Sequence, residues 1–369
     1  MEVIEQVFGI WSLVYREFVR DMGQIVQDPY VLFILVVALA FDFINGFHDA
    51  ANSIATVVGT RVLRPLPAVM WAAWWNFAAA WVFGVAIANT VGKMVHKEFV
   101  TPDVILAGLT GAIVWDLITW YVGLPTSSSH ALLGGFGGAA MAHASKFSGV
   151  LQWDRFIKTV QYIVISPFVG LMLALILIIA LLWTFRRALP SRVDRWFRYV
   201  QLGSAAAFSL GHGTNDAQKT MGIVAALLYA TLWKERQVGF ESGTETFPFW
   251  IVLICHLAIG LGTLSGGWRI VKTMGLKIAK LRPYSGACAE TAAAVALFGT
   301  AAMGIPVSTT HTITGAIVGV GAVQRFSAVQ WGIARRVIWA WVMTIPASGI
   351  VAALSYWLIL AIRLSLTAN

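Results

Sequence analysis

The chain has 369 residues, 58% of them hydrophobic and 12% charged, against about 45–50% and about 25% in ordinary soluble domains. Its net charge of +9 comes in short basic clusters between apolar runs, the pattern of cytoplasmic loops rather than of a nucleic-acid-binding face. The two cysteines, Cys255 and Cys288, both fall in apolar stretches and supply neither a disulfide framework nor a metal-ligand spacing.

In chain order, residues 1–28 come first as an amphipathic segment. Residues 1–20 mix Glu, Arg and apolar side chains and read as a surface helix, not a cleavable signal. Five apolar segments follow, at 29–59, 66–92, 103–123, 128–145 and 157–185. The basic stretch RRALPSRVDRWFR, residues 186–198, holds five arginines and marks a cytoplasmic linker over 186–199. Five more apolar segments lie at 200–230, 247–267, 285–303, 309–324 and 337–361. A helix needs about 20 apolar residues to span hydrocarbon, so the pattern predicts an all-α polytopic protein in contact with membrane lipid. Trp71, Trp74 and Trp75 share one helical face, as in an interfacial belt.

The two sets of segments repeat one another. GFHDAANS (46–53) aligns with GTNDAQKT (213–220), placing Asp49 over Asp216. GLPTSSSHALLGG (123–135) aligns with GIPVSTTHTITGA (304–316), placing Pro125 over Pro306 and His130 over His311. Two matches in the same order predict a duplication, with repeats at 29–185 and 200–369. Each repeat has five segments, or three if the third and fourth form a re-entrant hairpin. Both numbers are odd, so the second repeat enters the membrane from the opposite side. Inverted repeats of this kind typify secondary transporters, whose sites form where broken helices of the two repeats meet. With the termini outside, inner loops and linker carry 15 Lys and Arg and the outer side 10, a bias that favours that orientation.

The hydroxyl motifs follow a proline that interrupts an apolar segment and frees backbone groups. They comprise Thr126, Ser127, Ser128 and Ser129 in one repeat, and Ser308, Thr309 and Thr310 in the other. A half-helix starting here presents N–H groups, a positive dipole end and hydroxyl donors, which suits an oxyanion. Small-residue packing at helix crossings is the plainer reading, weakened by the duplication. His130 and His311 either donate to the anion or brace the hairpins, and bracing is favoured. The dense glycines, such as Gly134 and Gly138, need only close helix packing.

The acidic motifs bring Asp49 with Asn52, and Asp216 with Gln218, into the same apolar surroundings. An Asp at a helix centre costs about 2.5–3.5 kcal/mol in the bilayer, so intramembrane acids read as functional. A carboxylate would repel an anion unless a cation or proton came between. Carboxylate and amide oxygens suit Na⁺, at Asp49 and Asp216 in particular, whereas a carboxylate alone suits H⁺. Lys219 adds a cation to one repeat only, to pair with Asp216 or with the substrate. Glu290 and Asp116 are further intramembrane carboxylates without a duplicate. His48 and Asn215 stand beside the duplicated acids as accessory candidates.

Together NGFHDAAN, GHGTNDAQK, GLPTSSSH and GIPVSTTH resemble the inorganic phosphate transporter (PiT) family, in its bacterial low-affinity branch, over nearly the whole chain. The resemblance implies a homodimer with phosphate, free or as a metal complex, held between the two hydroxyl hairpins. It implies that Asp49, Asn52, Asp216, Gln218 and Glu290 form the ion-coupling and binding group, with no cofactor beyond the coupling ion. Many members read Gly-Ala-Asn-Asp where this chain has Gly46-Phe47-His48-Asp49, and His48 favours H⁺ where the Asn form goes with Na⁺.

Among alternatives, sulfate is the nearest, but it has no proton to donate to an Asp at neutral pH, whereas protonated phosphate has. An intramembrane hydrolase fits poorly, because adjacent helical residues such as Ser129 and His130 point apart, and no His/Glu spacing matches zinc. A channel would not explain carboxylates duplicated across inverted repeats, and no Walker glycine loop supports ATP coupling.

Overall fold

The computed structural model describes residues 2–82, 84–233, 247–324 and 326–367. Lys234, Arg236 and Arg325, counted above among the loop charges, lie outside the described residues. Helix α1 (Glu2–Ile25) is docked by the buried Asp21, which accepts from the Trp250 indole at 3.1 Å, and by Ile25. Asp28 then caps α2 (Pro29–Gly59) by accepting from the N–H groups of Tyr30 and Val31, with proline at the first helical position, where no N–H is needed. At 31 residues α2 is long enough to cross hydrocarbon.

The segment expected over 66–92 is broken. It forms α3 (Pro65–Ala78), a 3₁₀ turn at Ala79–Trp81 and α4 (Ala86–Gly92). Helix α5 (Pro102–Val122) ends on Gly123, whose φ of 74° is one that glycine adopts without strain. The Pro125 stretch is unwound, and α6 (Ser128–Ala144) returns antiparallel to α5, completing a helical hairpin. Helix α7 (Trp153–Thr184) closes the first repeat.

The basic stretch expected to be a linker is itself mostly helix, because α8 (Pro190–Thr231) starts at Pro190 and runs for 42 residues. Its exposed first turns carry Arg192, Arg195 and Arg198; its buried middle carries Gly211 to Thr220. Helix α9 (Phe249–Ser265) breaks at Gly266 and continues, bent by 60°, as α10 (Trp268–Lys272) and a π turn at Thr273–Ile278. Helix α11 (Pro283–Ala302), an unwound stretch at Pro306 and α12 (Thr309–Gln324) form the second hairpin, with Gly304 (φ 65°) matching Gly123. Helix α13 (Trp331–Thr367) ends the chain's described part.

The fold is an all-α polytopic membrane fold built from two repeats. Helices α2 to α7 correspond in order to α8 to α13, and the packing exchanges partners between them. The hairpin helix α6 packs on α13 and its counterpart α12 on α7; α2 packs on α9 and its counterpart α8 on α3. Each repeat therefore seats its hairpin on the last helix of the other. The seats need glycine: a Cβ on Gly134 would overlap the Ile345 carbonyl, and one on the matching Gly315 would overlap the Pro167 carbonyl.

Among the described residues four helices (α2, α5, α7 and α13) are long and apolar enough to cross a membrane, or six spans if each bent pair counts as one. Helix α8 is not among them because its centre is polar, and that centre is wrapped in protein. Helices α7 and α13 instead expose Phe168, Ile176, Ile179, Ile338, Val342 and Leu354, an apolar face of the kind lipid covers. Several basic segments gather at one end, where Arg198 donates to the Arg61 carbonyl (2.7 Å) and Arg269 to that of Tyr121 (2.5 Å).

Candidate functional site

Both hairpin tips meet the centres of α2 and α8. Asp49 and Asp216 are buried there, and one oxygen of each lies with a ring nitrogen of His212 within a mutual 4.8 Å. Asp216 Oδ1 accepts from Lys219 Nζ at 2.6 Å, and its Oδ2 lies 3.2 Å from both His212 Nε2 and the Thr309 hydroxyl, which donates to it. Asp49 Oδ1 lies 2.7 Å from His48 Nδ1, and its Oδ2 accepts from Thr310 at 3.4 Å.

The symmetry of the repeats reappears in the hydrogen bonds. Asn52 and Lys219 occupy matching positions on α2 and α8, and Thr310 and Ser129 matching positions on the hairpins. Asn52 Nδ2 donates to Thr310 Oγ1 at 2.8 Å, and Lys219 Nζ donates to Ser129 Oγ. Each long helix thus ties down the hairpin of the other repeat. The Lys219 ammonium has three donors, and all three are used: on Asp216, on Ser129 and on the Val307 carbonyl (2.9 Å). Asp216 is one of the two partners expected for Lys219. A small crevice between α4, α6 and α7, lined by Val91, Met94, Leu133 and Phe136, reaches Ser129 and Lys219.

The remaining expected residues sort by position. Ser127 is buried at the N-cap of α6, and Ser128, next to it, is buried with its hydroxyl toward Asp116. Ser308 accepts from the His311 N–H at 3.1 Å and so caps α12. Thr126 joins a small network in which it donates to Thr119 (2.9 Å), and Thr119 Oγ1 lies 3.1 Å from His48 Nε2. Asp116, one turn before Thr119, is buried beside the Ser128 hydroxyl. His130 and His311 meet edge to face at 4.4 Å between ring centres, and His311 stacks on Trp341 at 3.7 Å. Both contacts lie between the hairpins or on α13, as the bracing reading expects.

Three candidates are turned elsewhere. Gln218, expected among the ligands, accepts from the Ile87 N–H at 2.9 Å and satisfies an orphan donor at the start of α4. Asn215 donates to the carbonyls of Gly211 and Leu297, fastening α8 to α11. Glu290 sits in a separate buried network: Thr56 and Gln201 donate to its Oε1 and Ser204 to its Oε2. His212 was not among the expected residues. Its place one helical turn before Asp216 (i, i+4) is the signal that would have found it.

Two repeats, broken helices that meet at the protein centre, and paired carboxylates and hydroxyls at the meeting point define an inverted-repeat membrane transporter. The chain belongs to the phosphate transporter family, whose model matches residues 45–352. It is 53% identical over 329 residues to a probable low-affinity inorganic phosphate transporter of Rhizobium meliloti, covering 89% of this chain and 96% of that one. A probable low-affinity inorganic phosphate transporter of Bacillus subtilis is 42% identical over 332 residues, covering 89% and 96%. A solved structure described as the sodium-dependent phosphate transporter superposes with a TM-score of 0.78 at 22% identity, covering 90% of this chain and 99% of that one. At that identity the likeness concerns the fold.

The Lys219–Asp216 pair yields a stability prediction. Removing one partner of a buried pair strands the other charge, at a cost of roughly 3–5 kcal/mol. Lys219→Gln should therefore lower the unfolding midpoint of the detergent-purified protein markedly, and adding Asp216→Asn should recover most of the loss. An unchanged midpoint in Lys219→Gln would mean that the pair does not hold this site together.

Proposed function

We propose that the chain is a secondary transporter that carries inorganic phosphate across the membrane together with a cation, by alternating access. The observation that carries this reading is the crossed set of bonds at one buried spot, where Asp49 and Asn52 of the first repeat reach Thr310 of the second and Lys219 of the second reaches Ser129 of the first, with Asp216 on Thr309 beside them. Hydroxyls of the two hairpins, chiefly Ser127, Ser128, Ser129, Thr309 and Thr310, donate to the phosphate oxygens. Asp49 and Asp216 accept from its protons and hold the coupling ion.

Charge supplies the reason for coupling. Two carboxylates and one ammonium leave the site with a net negative charge if its histidines are neutral. An anion entering a low-dielectric site of the same sign is repelled. A cation among Asp49, His212 and Asp216, or a proton on one of the acids, reverses that balance. Coupling then follows from electrostatics, and either Na⁺ or H⁺ meets the requirement. His48 against Asp49 favours H⁺; the name of the structural neighbour favours Na⁺. The names of the close relatives favour phosphate over sulfate. In the same reading, an amphipathic segment at 1–28 precedes repeats at 29–185 and 200–369 joined through the basic stretch 186–199. The protein works as a homodimer with both termini outside, and phosphate travels free or with a bound metal.

Uptake of labelled phosphate into proteoliposomes, driven separately by Na⁺ and pH gradients, tests the roles. Asp49→Asn and Asp216→Asn keep side-chain size but remove charge, and each should nearly abolish coupled uptake. Asp216→Asn strands Lys219 and should also lose stability, which adding Lys219→Gln should restore without restoring uptake. Ser128→Ala and Thr309→Ala should instead raise the half-saturating phosphate concentration, by about 0.5–1.5 kcal/mol per hydrogen bond lost. Wild-type rates and unchanged ion dependence in both Asn variants would make the acids structural. Equal competition by sulfate and arsenate would remove phosphate as the substrate.

Orientation has its own check. Single cysteines placed in 186–198 should be labelled only from the cytoplasm and those at 95–99 only from outside. Labelling of both from one side would contradict the inverted arrangement.

A further inference from the structure

A second group of cations lies far from the central acids, at the surface end of α2. The helix stops at Gly59, Thr60 caps it, and Arg61 follows in a left-handed conformation (φ 58°) that non-glycine residues adopt at a cost. Arg64 stands at the start of α3. Arg198, from the first turns of α8, reaches across and donates Nη2 to the Arg61 carbonyl at 2.7 Å. Three arginines from both repeats thus line one open groove of about 450 Å³, with Val58, Val62 and Pro65 as its apolar sides.

Among the described residues no carboxylate pairs with any of the three arginines. Three like charges around one space repel each other unless an anion joins them. Orientation in the membrane requires positive charge on the inner loops, but dispersed arginines such as Arg186 and Arg187 meet that need without converging. Guanidinium forks match the oxygens of a phosphate group two at a time, as they do those of a carboxylate. The groove also sits at the end of a membrane-spanning helix, where lipid phosphates lie.

A polar chain starts at Thr60, the residue before Arg61. Thr60 donates to Gln201 Oε1 at 2.8 Å, Gln201 donates to Glu290 at 3.0 Å, and Thr56 donates to the same carboxylate. Thr56 lies one helical turn from Asn52 on α2. A file of buried polar groups therefore runs from under the arginines toward the central site, through an otherwise apolar core.

We propose that Arg61, Arg64 and Arg198 form a second anion site, which holds a phosphate group at the surface end of this file. The group is either free inorganic phosphate or the phosphodiester of an acidic phospholipid. The site stands on the groove alone and does not depend on what the central acids transport.

Arginine-selective modification by phenylglyoxal, read residue by residue by peptide mass spectrometry, tests it without reference to transport. The full chain is placed in phosphatidylcholine nanodiscs in chloride, with inorganic phosphate added at equal ionic strength, or in nanodiscs containing phosphatidylglycerol without phosphate. The exposed Arg187 serves as internal reference. Modification of Arg61, Arg64 and Arg198 should fall severalfold relative to Arg187 in at least one condition, and Arg198→Gln should remove the protection of the other two. Protection by added phosphate identifies the free anion; protection by phosphatidylglycerol alone identifies the lipid headgroup. Modification that tracks Arg187 in every condition would overturn the proposal.

Discussion

The arrangement of the centre depends on where the Lys219 ammonium puts its three hydrogen bonds. It joins Asp216 on its own helix to Ser129 on one hairpin and to the Val307 carbonyl at the tip of the other. In a low-dielectric interior a charged donor left unpaired would be very costly. The three elements are therefore held in register by the requirement to satisfy one cation. On α2 the matching residue is neutral. Asn52 binds the opposite hairpin but adds no charge, so the repeats are alike in geometry and unlike in electrostatics.

That inequality has a functional consequence. One carboxylate of the pair is compensated by a fixed cation and the other is not. Among the described residues Asp49 lies against His48 and Thr310, with a ring nitrogen of His212 within 4.8 Å. In the proposed reading, a site built this way is incomplete for an anion until a mobile positive charge arrives. Binding of cation and anion then becomes mutually supportive, which is the thermodynamic content of symport. The crossed packing supplies the mechanical side. Because each repeat's hairpin sits on the last helix of the other, a shift of one repeat carries part of the opposite half of the site with it.

Much of this was legible in the sequence, for identifiable reasons. Asp49 over Asp216 and Pro125 over Pro306 revealed the duplication, and odd segment counts implied its inversion. Segment positions follow from hydropathy to within a few residues for α2, α5, α6, α7, α11 and α12, whereas α8 and α13 begin well before their apolar runs, in polar turns that hydropathy does not register. The run 66–92 reads as one apolar stretch because Ala79–Trp81 is as apolar as its flanks, and the turn there is a matter of packing. The continuation of α9 into α10 and the π turn was hidden by Arg269, Lys272 and Lys277, which resemble an ordinary loop. Side-chain partners were less accessible. Asn215, Gln218 and Glu290 have the chemistry of ligands, yet in a protein-filled membrane interior the same groups satisfy helix ends and crossings. Which task a polar residue performs depends on the rotation of its helix against its neighbours, and the motif does not state it. His212 went unnoticed for the opposite reason: its role becomes visible only when α8 is taken as continuous through the glycines around it.

The central claim is that the site attracts phosphate only after a cation has entered it. Equilibrium binding of labelled phosphate to the purified protein, at rising Na⁺ and separately at falling pH, tests that claim without the complications of turnover. Coupling free energies between sites are typically about 1–3 kcal/mol, or roughly 5–150-fold in affinity. The account predicts that phosphate affinity rises within that range with one of the two cations, and that the rise disappears in Asp49→Asn. Phosphate binding of equal strength at all Na⁺ concentrations and all pH values would contradict it.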